Sequence, residues 1–258
     1  MNIEYYLKRD YITNVISQGK RIDGRAFDEM RQLTITKGYA ADKACGSAYV
    51  KLGDTEVIAG ISMDVGEPYP DQPTSGIMST STEFRPIASP QFESGPPRED
   101  AIEVARVVDR GIRESKMMDM EKLAIDAEKV WAVFIDIHIL NHDGNLIDAS
   151  GIASTAAILD CRMPKLENGK VIRGEWAGKL PLTCTPIPIT FHKIGHSIIV
   201  DPTIEEEYAM DARLTVTTTD TLNAMQKGGL GSFTMDEVKD CVDKAFKTAP
   251  KIRSIVEG

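Results

Sequence analysis

The sequence predicts an α+β fold built from two halves, and three observations carry that expectation. Segments of alternating polar and apolar residues cluster between Leu33 and Met63, and helical patterns follow them. The same order, strands and then a helix, recurs more briefly after Ile187. Between the two, Glu99 to Lys116 (EDAIEVARVVDRGIRESK) has the clearest amphipathic period in the chain. No repeat of residues accompanies the repeated pattern, so the duplication is an expectation about structure alone. The boundaries read as an N-terminal helix and arm (1–28), a first half (29–165), and a connector with the second half (166–258).

Ile3 to Gln18 predicts a short helix with Tyr6, Ile12, Val15 and Ile16 on its buried side and Gly19 as its stop. The charged turn KRIDGRAFDEMR then leads into strands at Leu33–Thr36, Ser47–Leu52 and Thr55–Met63, with Gly53-Asp54 marking a hairpin between the last two. Gly66 to Pro97 holds seven prolines, yet a structureless loop of that length is uncommon, and Ile77–Phe84 alternates well enough for an edge strand. After the Glu99–Lys116 helix, Val130–Leu140 predicts a strand closed by the turn Asn141–Asn145. Ile147–Leu159 is a helix of small residues suited to close packing on a sheet. Pro164 to Pro188 reads as a connector with short strands. Ile187–Lys193 and His196–Val200 pair about Gly195, Met210–Thr218 is a third strand, and Thr234–Thr248 is a helix opened by the capping box Thr234/Glu237. Gly228-Gly229-Leu230-Gly231 before it lacks the Lys-Ser/Thr of a phosphate loop and reads as a flexible lead-in.

Composition narrows the function classes. The chain has 258 residues and a formal net charge of −9, so any grip on nucleic acid must be local or completed by a partner. No segment is long and apolar enough to span a bilayer, and charges in MNIEYYLKRDYI fall where a signal peptide needs its apolar centre. The expectation is a cytoplasmic protein with no membrane partner. Cys45, Cys161, Cys184 and Cys241 are scattered without a C-x-x-C pair, which points to reduced thiols. His138/His142 and His192/His196 lie on strands and turns and share no helical face, so neither a metal nor a cofactor is expected.

Two constellations can carry chemistry. On the Glu99–Lys116 helix, Ala101, Val104, Ala105, Val107, Val108, Gly111 and Ile112 form an apolar arc at about 100° per residue, while Arg106, Arg110 and Arg113 form a stripe opposite. Glu103 and Asp109 stand within i+3 or i+4 reach, so a solvated, salt-bridged face fits the stripe as well as a phosphate-gripping one. The second constellation is acidic: Asp201, Glu205, Glu206, Glu207 and Asp211. It fits a solvated turn, the first turn of a short helix, a divalent-metal site or a general acid.

KRIDGR, AIEVARVVDRGIRES, VFIDIHILNHDGN with its small-residue helix, and VDPTIEEEYAMDARLTV resemble, in this order, the RNase PH family. The resemblance runs from about Lys20 to the C-terminal helix. It is greatest to the archaeal exosome's non-catalytic ring subunit. It implies a duplicated β-α unit of the ribosomal protein S5 domain 2 type. It also implies partners: a catalytic RNase PH-like subunit in a hexamer of three heterodimers, S1/KH-domain cap proteins, and single-stranded RNA. Active members cleave RNA from its 3′ end with inorganic phosphate, held partly by a Gly-Gly-Thr-Arg-like turn. Here the arginine's place falls on or near Asp148, and an Arg-Arg-Glu-like helix entry is replaced by Arg98-Glu99-Asp100. Asp211 aligns with the catalytic aspartate and Glu205 with a second acid, which makes both vestigial candidates. A general acid without a bound nucleophile is not an active site. The resemblance therefore implies an RNA-binding, structural role in 3′-to-5′ RNA degradation, with Arg106 and Arg110 as the matching pair on the RNA backbone and Arg113, on the same stripe, as a further candidate. The alternative is a phosphate-dependent exoribonuclease active in its own right.

Overall fold

The computed structural model describes the backbone of residues 3–167 and 169–258, with side chains from residue 8 onward. The first half opens with helix α1 (Ile3–Ser17), then strands β1 (Leu33–Lys37), β2 (Gly46–Leu52), β3 (Thr55–Gly66) and β4 (Ile77–Phe84). Helix α2 (Glu99–Glu114), strand β5 (Val130–Asn141) and helix α3 (Leu146–Asp160) complete it. β1, β2 and β3 form the antiparallel meander that their alternation predicts. β5 extends it beside β3, and β4 lies parallel to β5 at the edge, giving the order β1-β2-β3-β5-β4.

A hairpin, β6 (Arg162–Glu167) and β7 (Lys170–Lys179), occupies much of the expected connector. The second sheet contains β8 (Ile187–Ile194), β9 (Ser197–Val200), β10 (Ala212–Thr218) and β11 (Leu222–Gly229), in the order β11-β10-β8-β9. Helix α4 (Ile204–Tyr208) precedes β10, and α5 (Met235–Glu257) closes the chain. β8 pairs with β9 on one edge and with β10 on the other. Two expectations need correction here. Gly228-Gly229 ends a strand instead of forming a flexible lead-in: β11 is a polar edge strand, without the apolar alternation that signals one. Finally, α5 continues past Thr248 through Pro250, whose exposed position accommodates the lost N–H.

α3 holds the halves together. It is buried from Leu146 to Ile158 and packs on β2 and β3 on one side and on β8 on the other. Small residues make this possible: a Cβ at Gly151 would stand 2.6 Å from the ring of Pro188. α5 covers β8 and β10. A separate small core beneath α1 joins Ile12 and Ile16 to Ile194, Ile199 and Ala209, while Val15 is half-buried. Tyr6 lies outside the described side chains.

The arm after α1 is pinned by buried charge. The Arg21 guanidinium pairs with Glu206 at 2.6 Å, with side-chain exposures of 0% and 1%, and also donates to the carbonyls of Val200 and Asp201. Arg25 and Arg31 both reach the Asp201 carboxylate, and Arg31 continues to Asp143. KRIDGR is thus an anchor that ties the arm to the second half.

Candidate RNA-contact face and the cleft beside it

α2 bridges the two sheets, touching β4, α3 and β11. Its predicted arc is buried in full, from Ala101 to Ile112. Each buried Val or Ile there contributes about 1.5–3 kcal/mol, whereas an exposed ion pair contributes at most about 1 kcal/mol. The helix is therefore held by its arc, and the stripe is not required for folding.

The three arginines are all exposed but differ in their surroundings. Arg113 is taken: its Nε donates to Asp109 at 3.0 Å and its Nη2 to the Met78 carbonyl at 3.1 Å. Arg110 donates to the neutral amide oxygen of Gln226 at 3.0 Å. Among the described residues Arg106 makes no hydrogen bond or ion pair. Glu103 turns away from the stripe and pairs with Arg213 at 2.5 Å. Salt bridging thus accounts for Arg113 and leaves two guanidinium groups without a carboxylate.

Beside the N-terminal end of α2 lies a cleft of about 270 Å³. Asp100 and Glu103 form one side, His142 and Asn145 the turn after β5, Thr190 and His192 the floor on β8, and Glu207 and Arg213 the far wall. Asn145 and Gly144 both have positive φ, and a Cβ at Gly144 would meet the Pro202 carbonyl at 2.5 Å, so this turn needs its glycine. Burial pushes the Glu207 carboxyl up to about 7, although the Asn145 N–H donates to it at 2.7 Å. Burial and, next, Arg213 bring His192 down to about 3, while burial and Arg31 bring His142 down to about 4. Both imidazoles are therefore neutral near pH 7. Among the described residues Arg213 is the one cation lining the cleft, and Glu103 already neutralises it.

Asp148 does not face this cleft. It is fully buried behind it, accepting from the Thr190 N–H (2.9 Å), the Thr190 hydroxyl (2.7 Å) and the Asn145 amide (3.0 Å), and burial pushes it up to about 7. Asp148 therefore meets no phosphate in the cleft directly; the carboxyl groups that line it are Asp100, Glu103 and Glu207. Glu205 and Asp211 point elsewhere too. Glu205 accepts from Lys8 at 3.0 Å, and Asp211 pairs with Arg9 at 2.9 Å and accepts from the Gly195 N–H at 2.7 Å. The pair with the same spacing that does reach the cleft is Glu207 and Arg213. Sequence reasoning missed this pair, though one signal was present. Thr203 and Glu206 form a capping box, so residues 204–208 are helical and two glutamates two positions apart face opposite sides. Among the described residues no cluster of three or more His, Cys, Asp or Glu side chains could hold a metal, and no helix is long and apolar enough to cross a membrane.

Two domain models of one family match the chain: "3′ exoribonuclease family, domain 1" over residues 29–164 and "domain 2" over residues 184–248. The chain belongs to the 3′ exoribonuclease, or RNase PH, family. A relative from Thermococcus gammatolerans, the exosome complex component Rrp42, is 51% identical over 257 residues, covering 97% of this chain and 94% of the relative. Among solved structures, the Archaeoglobus fulgidus exosome with RNA bound to the active site contains a chain with a TM-score of 0.89 and 43% identity, covering 98% of this chain and 99% of that one. A chain of an archaeal exosome core has a TM-score of 0.88 and 40% identity, covering 99% and 98%. The duplicated α+β arrangement predicted from the sequence is the fold of this family.

Proposed function

We propose that the chain is a non-catalytic ring subunit of an archaeal exosome, which holds RNA while a catalytic RNase PH-like partner degrades it from the 3′ end. The observation that carries this reading is the charge of the cleft. A phosphate nucleophile needs donors of positive charge, and this cleft offers one arginine, already neutralised by Glu103, beside Asp100, a Glu207 carboxyl pushed up to about 7 and two neutral histidines. Family membership and the exosome relatives support assembly in a ring with the partner, a hexamer of three heterodimers beneath S1/KH-domain caps. The RNA-contact role falls to Arg106 and Arg110, whose guanidinium groups are exposed and, among the described residues, unpaired with carboxylates. A guanidinium fork suits the phosphates of any RNA sequence. Arg113 takes the lesser part, because Asp109 already occupies it.

The test is phosphate-dependent release of nucleoside diphosphates from single-stranded RNA, measured for the purified chain alone and after mixing with a catalytic RNase PH-like subunit. The expected result is no release by the chain alone, and release from a mixed ring of hexameric mass. Phosphate-dependent shortening of RNA by the chain alone would overturn the reading and establish an enzyme active in its own right.

A further inference from the structure

A second cationic surface lies away from α2 and the cleft. The β6–β7 hairpin packs beside β3 and, with the turn before β2, encloses a groove of about 590 Å³. Lys43, Arg162 and Arg173 line it together with Trp176, and among the described residues Asp42 is the one carboxylate in its lining. None of the three cations forms an ion pair with a carboxylate among the described residues. The chain's net charge is −9, and most arginines described above are paired with carboxylates, whereas these three cations, among the described residues, are not. The Arg162 guanidinium lies over the Trp176 ring, 4.3 Å from its centroid. That contact holds the guanidinium plane in place while its N–H edges have no hydrogen-bond acceptor among the described residues.

We propose that this groove is a second binding site for single-stranded RNA, with Lys43, Arg162 and Arg173 on backbone phosphates and the Trp176–Arg162 pair as a stacking platform for a base. Nucleobases stack on aromatic rings and on guanidinium planes alike, and cations set around such a platform are what single-stranded nucleic acid requires. An acidic protein segment would satisfy the cations but gain nothing from the platform. The adjoining hollow, which shares Val171 and Arg173, carries Lys129 and Lys170 as well as Asp64, Glu67 and Glu128, so beyond Arg173 the surface is of mixed charge. The proposal uses the reading above only in that RNA reaches the ring; its residues are distinct from the α2 stripe.

The test uses the ring assembled with its catalytic partner and a single-stranded RNA carrying photoreactive uridines. The wild-type ring should give a crosslink that maps to the peptide containing Trp176. The triple change Lys43→Ala, Arg162→Ala, Arg173→Ala, which alters exposed or partly exposed side chains only, should lose that crosslink. It should also flatten the salt dependence of binding by about 2 log units per log unit of salt, at about 0.7 for each of three contacts. Trp176→Ala should weaken binding about tenfold, and Trp176→Phe should restore most of it. An unchanged affinity and salt slope in the triple variant refutes the proposal. So does a poly-glutamate peptide that displaces the crosslinked RNA as well as unlabelled RNA does, which would assign the groove to an acidic protein. A ring that loses RNA on changes at Arg106 and Arg110 but not on these changes leaves the first reading standing and removes this one.

Discussion

Arg106, Arg110 and Arg113 share one face of α2 but differ in what already holds them. Arg113 is engaged by Asp109 and a backbone carbonyl, Arg110 by a neutral amide, and Arg106 by nothing among the described residues. Replacing Arg106 and Arg110 by alanine should weaken RNA binding by the assembled ring, slow degradation by the partner, and flatten the salt slope by about 0.7 per contact. Ring mass should not change, because the helix packs through Val104, Val108 and Ile112. Arg113→Ala should instead cost at most about 1 kcal/mol of stability and have little effect on RNA. Wild-type affinity and salt slope in the alanine double variant would assign the whole stripe to solvation. Glutamate replacements are less informative, since they add repulsion of their own.

At the scale of elements, the central fact is the close approach of α3 to strands on both sides. Gly46 on β2 faces α3, and a Cβ there would stand 2.4 Å from the Ala157 carbonyl and 2.5 Å from Cys161 Cα. Both are backbone atoms, so no side chain can swing aside to make room. Gly46→Ala should therefore destabilise the chain by about 1–3 kcal/mol through overpacking. In a domain of this size that is a fall in Tm of about 2–4 °C per kcal/mol, read by thermal unfolding. An unchanged Tm would mean that β2 and α3 can separate more freely than their packing indicates. The same closeness explains why Ile147–Leu159 is so rich in Ala, Ser and Gly: on a helix buried on every side, larger residues would push the sheets apart.

For the molecule as a whole, the buried polar network between the halves sets how stability responds to pH. Asp148 and Glu207 titrate near 7 when folded, against 3.8 and 4.5 for ordinary carboxyls. Between those values the native state keeps protons that the unfolded chain releases, so their contribution to stability falls as pH rises. His142 and His192 titrate near 4 and 3 when folded, against 6.5. There the unfolded chain binds protons that the native state refuses, so their contribution grows as pH rises. The two effects oppose each other between about pH 4.5 and 6.5, and the wild-type Tm should be nearly flat across that window. Asp148→Asn removes one carboxyl, and its Tm should rise with pH there; His192→Gln removes one imidazole, and its Tm should fall. Thermal melts across the window decide it, and parallel profiles for both variants and wild type would exclude this network as the cause.

The sequence by itself determined the α+β class, the meander, the edge strand at Ile77–Phe84, the whole buried arc of α2 and the capping box of α5. These rest on local periodicity and on short-range hydrogen bonding, which neighbouring residues specify. It also singled out the three arginines of α2, because a helical period places them together whatever surrounds them. Only the tertiary structure decided which of them are free: Glu103, an i+3 neighbour of Arg106, spends its charge on Arg213 from a strand far along the chain. It decided likewise that Glu207 and Arg213, not Glu205 and Asp211, reach the cleft, since that depends on how α4 docks beneath α1. β11 escaped detection because an edge strand needs a partner's backbone more than a pattern of its own. The burial of Asp148 and His192 and the partial burial of Glu207, and hence their shifted titration, come from desolvation by segments distant in sequence, and no local pattern records it.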